Sequence, residues 1–259
     1  MKTMLRACLA PFKPVLEAVV QAEAAVAAWW ARAAYRRLMA IQWGLPPQPE
    51  HFDHHIDLYY QWSRTGRGWW VERGVFSLLA LKPRGSLLEL ACGDGFYARR
   101  FYAGVCQTVV ACDFDRKAIA TARRKNAGAN IEFVLADVRT RMPPGLFDNI
   151  VLDAAIEHFT PPEIGALMRD IRSRLAPGGV LSGYTIVERQ DGRKSLSHHE
   201  YEFRDKADLL RFLAPHFANV TVFETIYPER HNLYFWASDR TIPFDATWPG
   251  MARHQQSSP

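Results

Sequence analysis

The run Leu87-Leu88-Glu89-Leu90-Ala91-Cys92-Gly93-Asp94-Gly95-Phe96-Tyr97 constrains this chain more than any other. Leu87 to Ala91 is apolar except for one acid, and two glycines follow before a helical pattern begins. That order reads as a buried parallel strand, a glycine turn and a helix N-terminus. Without a Cβ, Gly93 and Gly95 allow a tight turn and close approach of a ligand. The helix starting near Phe96 presents unpaired N–H groups over the turn. Glu89 is costly to bury alone, so a cationic or donor-rich ligand is expected above it. Gly93-Asp94-Gly95-Phe96-Tyr97-Ala98 also fits the G-x-G-x-x-A fingerprint of nicotinamide dinucleotide sites.

The chain continues in alternation. Thr108 to Asp113, Ile131 to Leu135 and Phe147 to Asp153 read as strands two to four. Asp115 caps a helix from Arg116 to Lys125. Thr160-Pro161-Pro162-Glu163 is a capping box with proline at the first helical position, opening a helix to Leu175. Pro177-Gly178-Gly179 turns into a fifth strand, Val180 to Val187, and Asp205 starts a helix to Leu213. Asn219 to Thr225 and Leu233 to Ser238 form a final strand pair, joined by Tyr227-Pro228-Glu229-Arg230-His231-Asn232. The pattern predicts an α/β doubly wound sheet with its ligand at the carboxyl ends of the strands.

Acids stand at those ends. Asp113 closes the second strand, eighteen residues after Gly95, where a carboxylate can accept both hydroxyls of a ribose. Asp137 follows the third strand, placed to accept from an adenine amino group while the Val138 N–H donates to the ring. Each acid alone is also an ordinary cap or turn residue. Glu89, Asp113 and Asp137 at three successive strand ends are hard to ascribe to chance.

Several segments together resemble the class I S-adenosylmethionine-dependent methyltransferases, small-molecule branch: the acid-and-glycine first motif, Phe147-Asp148, Ile156-Glu157-His158 and Leu175-Ala176-Pro177-Gly178-Gly179. Quinone-biosynthesis and sugar methyltransferases carry comparable patterns. Ala91-Cys92 stands where the family's first motif has its central glycine. The resemblance covers about residues 85 to 238. It implies a Rossmann-like seven-stranded sheet with its last strand antiparallel, and S-adenosyl-L-methionine as cofactor. The cofactor-binding set it implies is Glu89, Ala91, Gly93, Gly95, Tyr97, Asp113, Phe114, Asp137, Val138 and Asp153. Nicotinamide dehydrogenases do not usually show the Pro-Gly-Gly turn or the terminal strand pair. Asp153-Ala154-Ala155-Ile156 lacks the prolines of the enzymes that methylate nucleobase amino groups.

A sulfonium methyl is already activated, so alignment does most of the work. A hydroxyl acceptor also needs a base, because the neutral alcohol is a poor nucleophile. His158, after the fourth strand, and His199, after the fifth, compete for that role. Alternation through Ser197-His198-His199-Glu200-Tyr201-Glu202-Phe203 would turn His199, Tyr201 and Phe203 to one side. Tyr59, Tyr60, His198, Tyr201, Arg230 and His231 are the expected acceptor-binding residues. Rings mixed with donors suit a sugar or glycoside hydroxyl, the favoured acceptor. Quinone, lipid and amine acceptors stay open, as do, in other classes, an NAD-dependent oxidoreductase and a non-catalytic nucleotide-binding module. No metal is assigned. The spacing of Glu157, His158, His198 and His199 does not diagnose magnesium, and His54, His55 and Asp57 rank lower as ligands than as pocket wall.

The 259 residues suffice for one large α/β domain with an extension. The expected division is a helical extension at 1–80 (cap, pocket wall or oligomer contact), the cofactor-binding domain at 81–240 and a tail at 241–259. A net charge of +5 without a basic concentration argues against nucleic acid. Cys8, Cys92, Cys106 and Cys112 show no C-x-x-C spacing and read as reduced thiols of a cytoplasmic protein. Val15 to Met39 is helical in pattern, yet charges interrupt it too often for a membrane span. It packs on the domain or on a second subunit in one reading, and lies on a membrane surface in the other. Deleting residues 1–40 separates these. Aggregation of the truncated chain supports packing. A well-behaved chain that no longer sediments with anionic vesicles supports the membrane.

Overall fold

The computed structural model describes residues 12–43, 62, 66–228 and 230–240. The chain divides into two units, the first holding the N-terminal helix α1 (Lys13–Trp43) and the second running on from Trp69. Among the described residues no helix is long and apolar enough to cross a membrane.

The second unit is built on one seven-stranded sheet: β1 (Ser86–Leu90), β2 (Thr108–Asp113), β3 (Ile131–Leu135), β4 (Phe147–Asp153), β5 (Leu175–Ile186), β6 (Asn219–Tyr227) and β7 (Arg230–Ser238). The spatial order is β3-β2-β1-β4-β5-β7-β6. Strands β1 to β5 pair in parallel, and β7 runs antiparallel to both β5 and β6. The doubly wound sheet with an antiparallel last strand is therefore as expected. The order reverses between β1 and β4, and in open α/β sheets a crevice opens beyond the strand ends at such a point.

Strand alternation sorts the side chains into two layers. Leu88, Leu90, Ile150, Leu152, Leu181, Leu233 and Phe235 join the main core with α4 (Pro161–Arg174) and α5 (Lys206–Leu213). The opposite face turns Asn149, Asp153, Tyr234 and Trp236 toward α2 (Trp69–Leu79). Asn149 Nδ2 donates to the Ala80 carbonyl at 2.9 Å, and Phe76 stacks on Tyr234 at 4.2 Å. Glu72 accepts from Thr225, Tyr227 and Tyr234, which ties α2 to the last strand pair.

Local signals hold where the chemistry is local. The Asp115 carboxylate caps α3 (Arg116–Lys125), Asp205 caps α5, and Thr160 with Glu163 forms the capping box of α4. Cys92, Cys106 and Cys112 are buried and unbridged; Cys8 lies outside the described residues.

Two boundaries differ from expectation. Strand β5 begins at Leu175 and contains the Pro-Gly-Gly segment, because Leu175 already pairs with Phe147 and the register then shifts to Asn149–Val180. A Cβ at Gly179 would lie 3.0 Å from the carbonyl oxygens of Phe147, Asp148 and Ala176, so glycine permits that irregularity. The last hairpin is also longer than its hydrophobic pattern. Tyr227 pairs directly with Arg230, so Arg230, His231 and Asn232 belong to β7 rather than to a loop. Polar Thr225 and Asn232 extend the strands because each bonds to Glu72 or to the other.

Candidate active site

The turn after β1 has a contorted backbone. Ala91, Gly93 and Gly95 all have positive φ, at +54°, +55° and +71°. At Ala91 the left-handed conformation costs about 1–2 kcal/mol, strain that a glycine would avoid. The turn is fixed from β2. Asp113 Oδ2 accepts from the Gly93 N–H at 2.9 Å and Oδ1 from the Asp115 N–H at 2.8 Å. Asp94 is buried; its carboxylate accepts from the Phe96 N–H at 3.1 Å and its carbonyl from Asn126 Nδ2 at 2.8 Å. Phe96 and Tyr97 then lead into a π-helical turn, Ala98–Tyr102.

Glu89 and Asp153, at the ends of neighbouring strands, form a buried acid pair. Glu89 is 2% exposed, and its Oε2 has no hydrogen-bond partner among the described residues. Burial, and next the charge of Asp153, push the Glu89 carboxyl well above its usual range. Asp153 is pushed up to about 6, chiefly by burial, although Arg73 and bonds from Tyr102 (2.9 Å) and Ser77 (3.1 Å) act against the shift. Arg73 lies in the same buried layer. Its Nε donates to the Tyr97 hydroxyl at 2.5 Å, and its guanidinium covers the rings of Trp70 and Tyr97 at 4.2 and 4.4 Å. Tyr97 in turn donates to the Trp70 carbonyl. Tyr97 thus stands in the wall that carries the acid pair.

The next two strand ends extend this edge. Phe114, directly after Asp113, exposes 62% of its surface. Asp137 and Val138 follow β3 and are half-buried, with Asp137 Oδ1 accepting from the Arg139 N–H at 3.0 Å. The main chain links the two strand ends through Ala136 N–H to the Asp113 carbonyl at 3.0 Å.

Beyond β4 the structure brings His158, His198 and His199 together. His158 ends a short 3₁₀ turn (Ile156–His158), and its ring stacks on that of His198 with centroids 4.9 Å apart. His199 meets His158 edge-on, also at 4.9 Å. Backbone bonds from Glu200 and Tyr201 to the Glu157 carbonyl hold the two segments side by side. Buried His199 pairs its Nδ1 with Glu202 Oε1 at 2.5 Å. Desolvation first, and then the neighbouring His158, His198 and Arg230 against the opposing Glu157, hold its pKa down at about 4.

The alternation expected through 197–203 does not occur. The chain turns at 197–200, so His199 faces His158 while Tyr201 packs with Phe203 and Phe212 and donates to Asp208. Arg230 and His231, adjacent on β7, diverge. Arg230 reaches Tyr184 and lies over the Trp69 ring at 5.4 Å. His231 pairs with Glu224 at 3.0 Å. Tyr59 and Tyr60 lie outside the described residues.

Sequence reasoning missed Arg73, Ser77, Tyr102, Tyr184 and Glu202. Arg73 and Ser77 sit four apart on one helix, a spacing that puts them on a common face. Nothing local indicated that this face meets the acid pair. Glu202 carried a signal, since it is the carboxylate three residues beyond His199.

Residues 87–179 match the model of the methyltransferase-domain family. An uncharacterized methyltransferase of Mycobacterium tuberculosis is 33% identical over 111 residues, 42% of this chain and 55% of that protein. The chain thus spans about half the length of the curated relatives it matches. The (S)-coclaurine N-methyltransferase of Thalictrum flavum is 31% identical over 132 residues, 49% of this chain and 34% of that protein. Among solved structures, the N-methyltransferase NodS of Bradyrhizobium japonicum in complex with S-adenosyl-L-homocysteine superposes with a TM-score of 0.54. It is 18% identical, over 69% of this chain and 92% of that one. The DhpI complex with the same ligand gives 0.54 at 23% identity, over 81% and 96%. At these identities the structural likeness speaks to the fold.

Proposed function

We propose that the chain, whose residues 87–179 match the methyltransferase-domain family, is a class I S-adenosylmethionine-dependent methyltransferase that methylates a hydroxyl of a small molecule, with a sugar or glycoside as the favoured acceptor. The observation that carries cofactor binding is the orphaned Glu89 Oε2 beside Asp153. A buried acid pair raised by desolvation is relieved by a cation, and the cofactor brings an ammonium and a sulfonium. Glu89 would take the amino end and Asp113 the ribose hydroxyls. Phe114 would lie against the adenine, with Asp137 and Val138 at its polar edge. When bound, S-adenosylmethionine supplies the methyl group.

The hydroxyl reading rests on the histidine cluster behind β4. An amine needs only its lone pair, whereas a hydroxyl must lose a proton. His199 is buried, bonded through Nδ1 to Glu202 and held down in pKa to about 4 by desolvation, which leaves half-buried His158 as the ring assigned to the acceptor. The sugar preference is supported by Trp69, whose buried indole N–H has no partner among the described residues and whose ring lies by Tyr227 and Arg230. An aromatic face beside fixed donors suits a C–H face flanked by hydroxyls.

Calorimetry on Asp113→Ala tests the cofactor reading. Loss of charge-assisted bonds worth roughly 1.5–3 kcal/mol should weaken S-adenosylhomocysteine binding about 10–100-fold. Binding of NADH in place of the sulfonium compound would transfer the chain to the oxidoreductases.

The acid pair adds a pH dependence. Asp153 is raised from 3.8 to about 6 in the folded chain, so its contribution to stability is present at low pH and lost as pH rises through about 6. A cationic ligand favours the ionised acids, so binding releases protons and affinity for S-adenosylmethionine rises with pH across that window. Titrations in two buffers of different ionisation enthalpy measure the release. Equal heats in both would remove the acid pair from the cofactor site.

A further inference from the structure

Among the described residues, one side-chain group has the make-up of a metal site. His158, His198 and His199 each offer a ring nitrogen, and these atoms all lie within 4.8 Å of one another. Two elements supply them: the 3₁₀ turn behind β4, and the loop behind β5. The loop is locked to the turn by Glu200 N–H and Tyr201 N–H, which donate to the Glu157 carbonyl at 2.8 and 3.0 Å.

The support behind the rings is the second, independent observation. His199 is 2% exposed, and Glu202 takes its Nδ1. Glu202 is itself held by the Ser195 N–H at 2.6 Å. The ring is thereby fixed, and Nε2 is the nitrogen it has to offer. A buried carboxylate on the far nitrogen of an imidazole is the recurring support of metal-bound histidines, where it sets tautomer and orientation.

We propose that His158, His198 and His199 hold a divalent transition metal of the zinc type, whose open coordination position takes the acceptor's hydroxyl oxygen. The proposal rests on the hydroxyl-acceptor reading and deepens it. Three imidazoles suit zinc and its first-row neighbours, whereas magnesium and calcium take oxygen ligands. Zinc–nitrogen bonds of about 2.0–2.1 Å place tetrahedral ligand atoms roughly 3.3 Å apart. The rings therefore draw inward on loading. His158 and His198 are half-buried, whereas His199 is buried and held by Glu202.

The chemistry balances. Coordination lowers the pKa of the hydroxyl, whose proton passes to water. The metal-bound oxygen attacks the methyl carbon of S-adenosylmethionine. An O–C bond forms as the S–C bond breaks, and that electron pair stays on sulfur as the thioether of S-adenosylhomocysteine.

The test uses the full chain, stripped with a chelator and titrated with Co²⁺ and then Zn²⁺. Expected is one equivalent of cobalt with the visible d–d bands of a four- or five-coordinate ion, displaced by zinc. His158→Gln should abolish the bands, and Glu202→Gln should weaken metal affinity about 10–100-fold. S-adenosylhomocysteine binding by both variants shows that the fold is intact. If the unmodified chain binds S-adenosylhomocysteine but yields no cobalt bands, the metal site is refuted and the methyltransferase reading stands. Bands that persist in His158→Gln place the ion elsewhere and refute the site as well. If cobalt binding depends on His158 while the chain never binds S-adenosylhomocysteine, the metal site holds but its role in methyl transfer fails.

Discussion

His158→Ala is expected to lower kcat by roughly a hundredfold or more while leaving the affinity for S-adenosylmethionine nearly unchanged. The ring ends the 3₁₀ turn behind β4 and stands at the centre of the cluster, 4.9 Å from the rings of both His198 and His199. It is half-buried and sits behind β4, whereas Glu89 and Asp113 lie at the ends of β1 and β2. Truncation should therefore remove proton loss from the acceptor without disturbing the cofactor, whether the ring takes the proton itself or holds the metal that displaces it. Single-turnover rates, with cofactor affinity measured in parallel, separate the two quantities. If His158→Ala keeps the full rate, the acceptor is an amine or a group already ionised, and the hydroxyl reading falls.

A large loss of stability is expected from substitution at Gly95. Its φ is +71°, and a Cβ there would meet the Phe133 ring at 2.3 and 2.5 Å and Ala122 Cβ at 3.2 Å. Gly95→Ala combines overpacking, about 1–3 kcal/mol, with left-handed strain of about 1–2 kcal/mol. Phe133 lies on β3 and Ala122 on α3, both buried, so neither yields without moving the layer. A loss of roughly 2–5 kcal/mol should appear as a lower denaturation midpoint, together with weakened S-adenosylhomocysteine binding. Wild-type stability in the variant would mean that the turn has room this structure does not show. Gly104 is the control: nothing lies within 4 Å of its Cβ position, and its substitution by Ala should change little.

What the sequence determined by itself is local and periodic. Strand–helix alternation, the caps at Asp115, Thr160 and Asp205, and the glycine turn could be read because each depends on residues a few positions apart. The acids at the strand ends were legible for the same reason: Glu89, Asp113 and Asp137 keep fixed offsets from hydrophobic runs. Tertiary structure decided the rest. The acid pair exists because β1 lies beside β4 in the sheet, and 64 positions of chain separate Glu89 from Asp153. Arg73 reaches that pair because α2 packs across the sheet face, a contact that no spacing encodes. The histidine cluster depends on three things: a turn at 197–200 that breaks the expected alternation, Glu202 closing on His199, and the Glu157 carbonyl holding both segments. Periodicity reports which residues share an element's face. Which faces meet is set by burial across the whole sheet, and the chemistry of this site lies at those meetings.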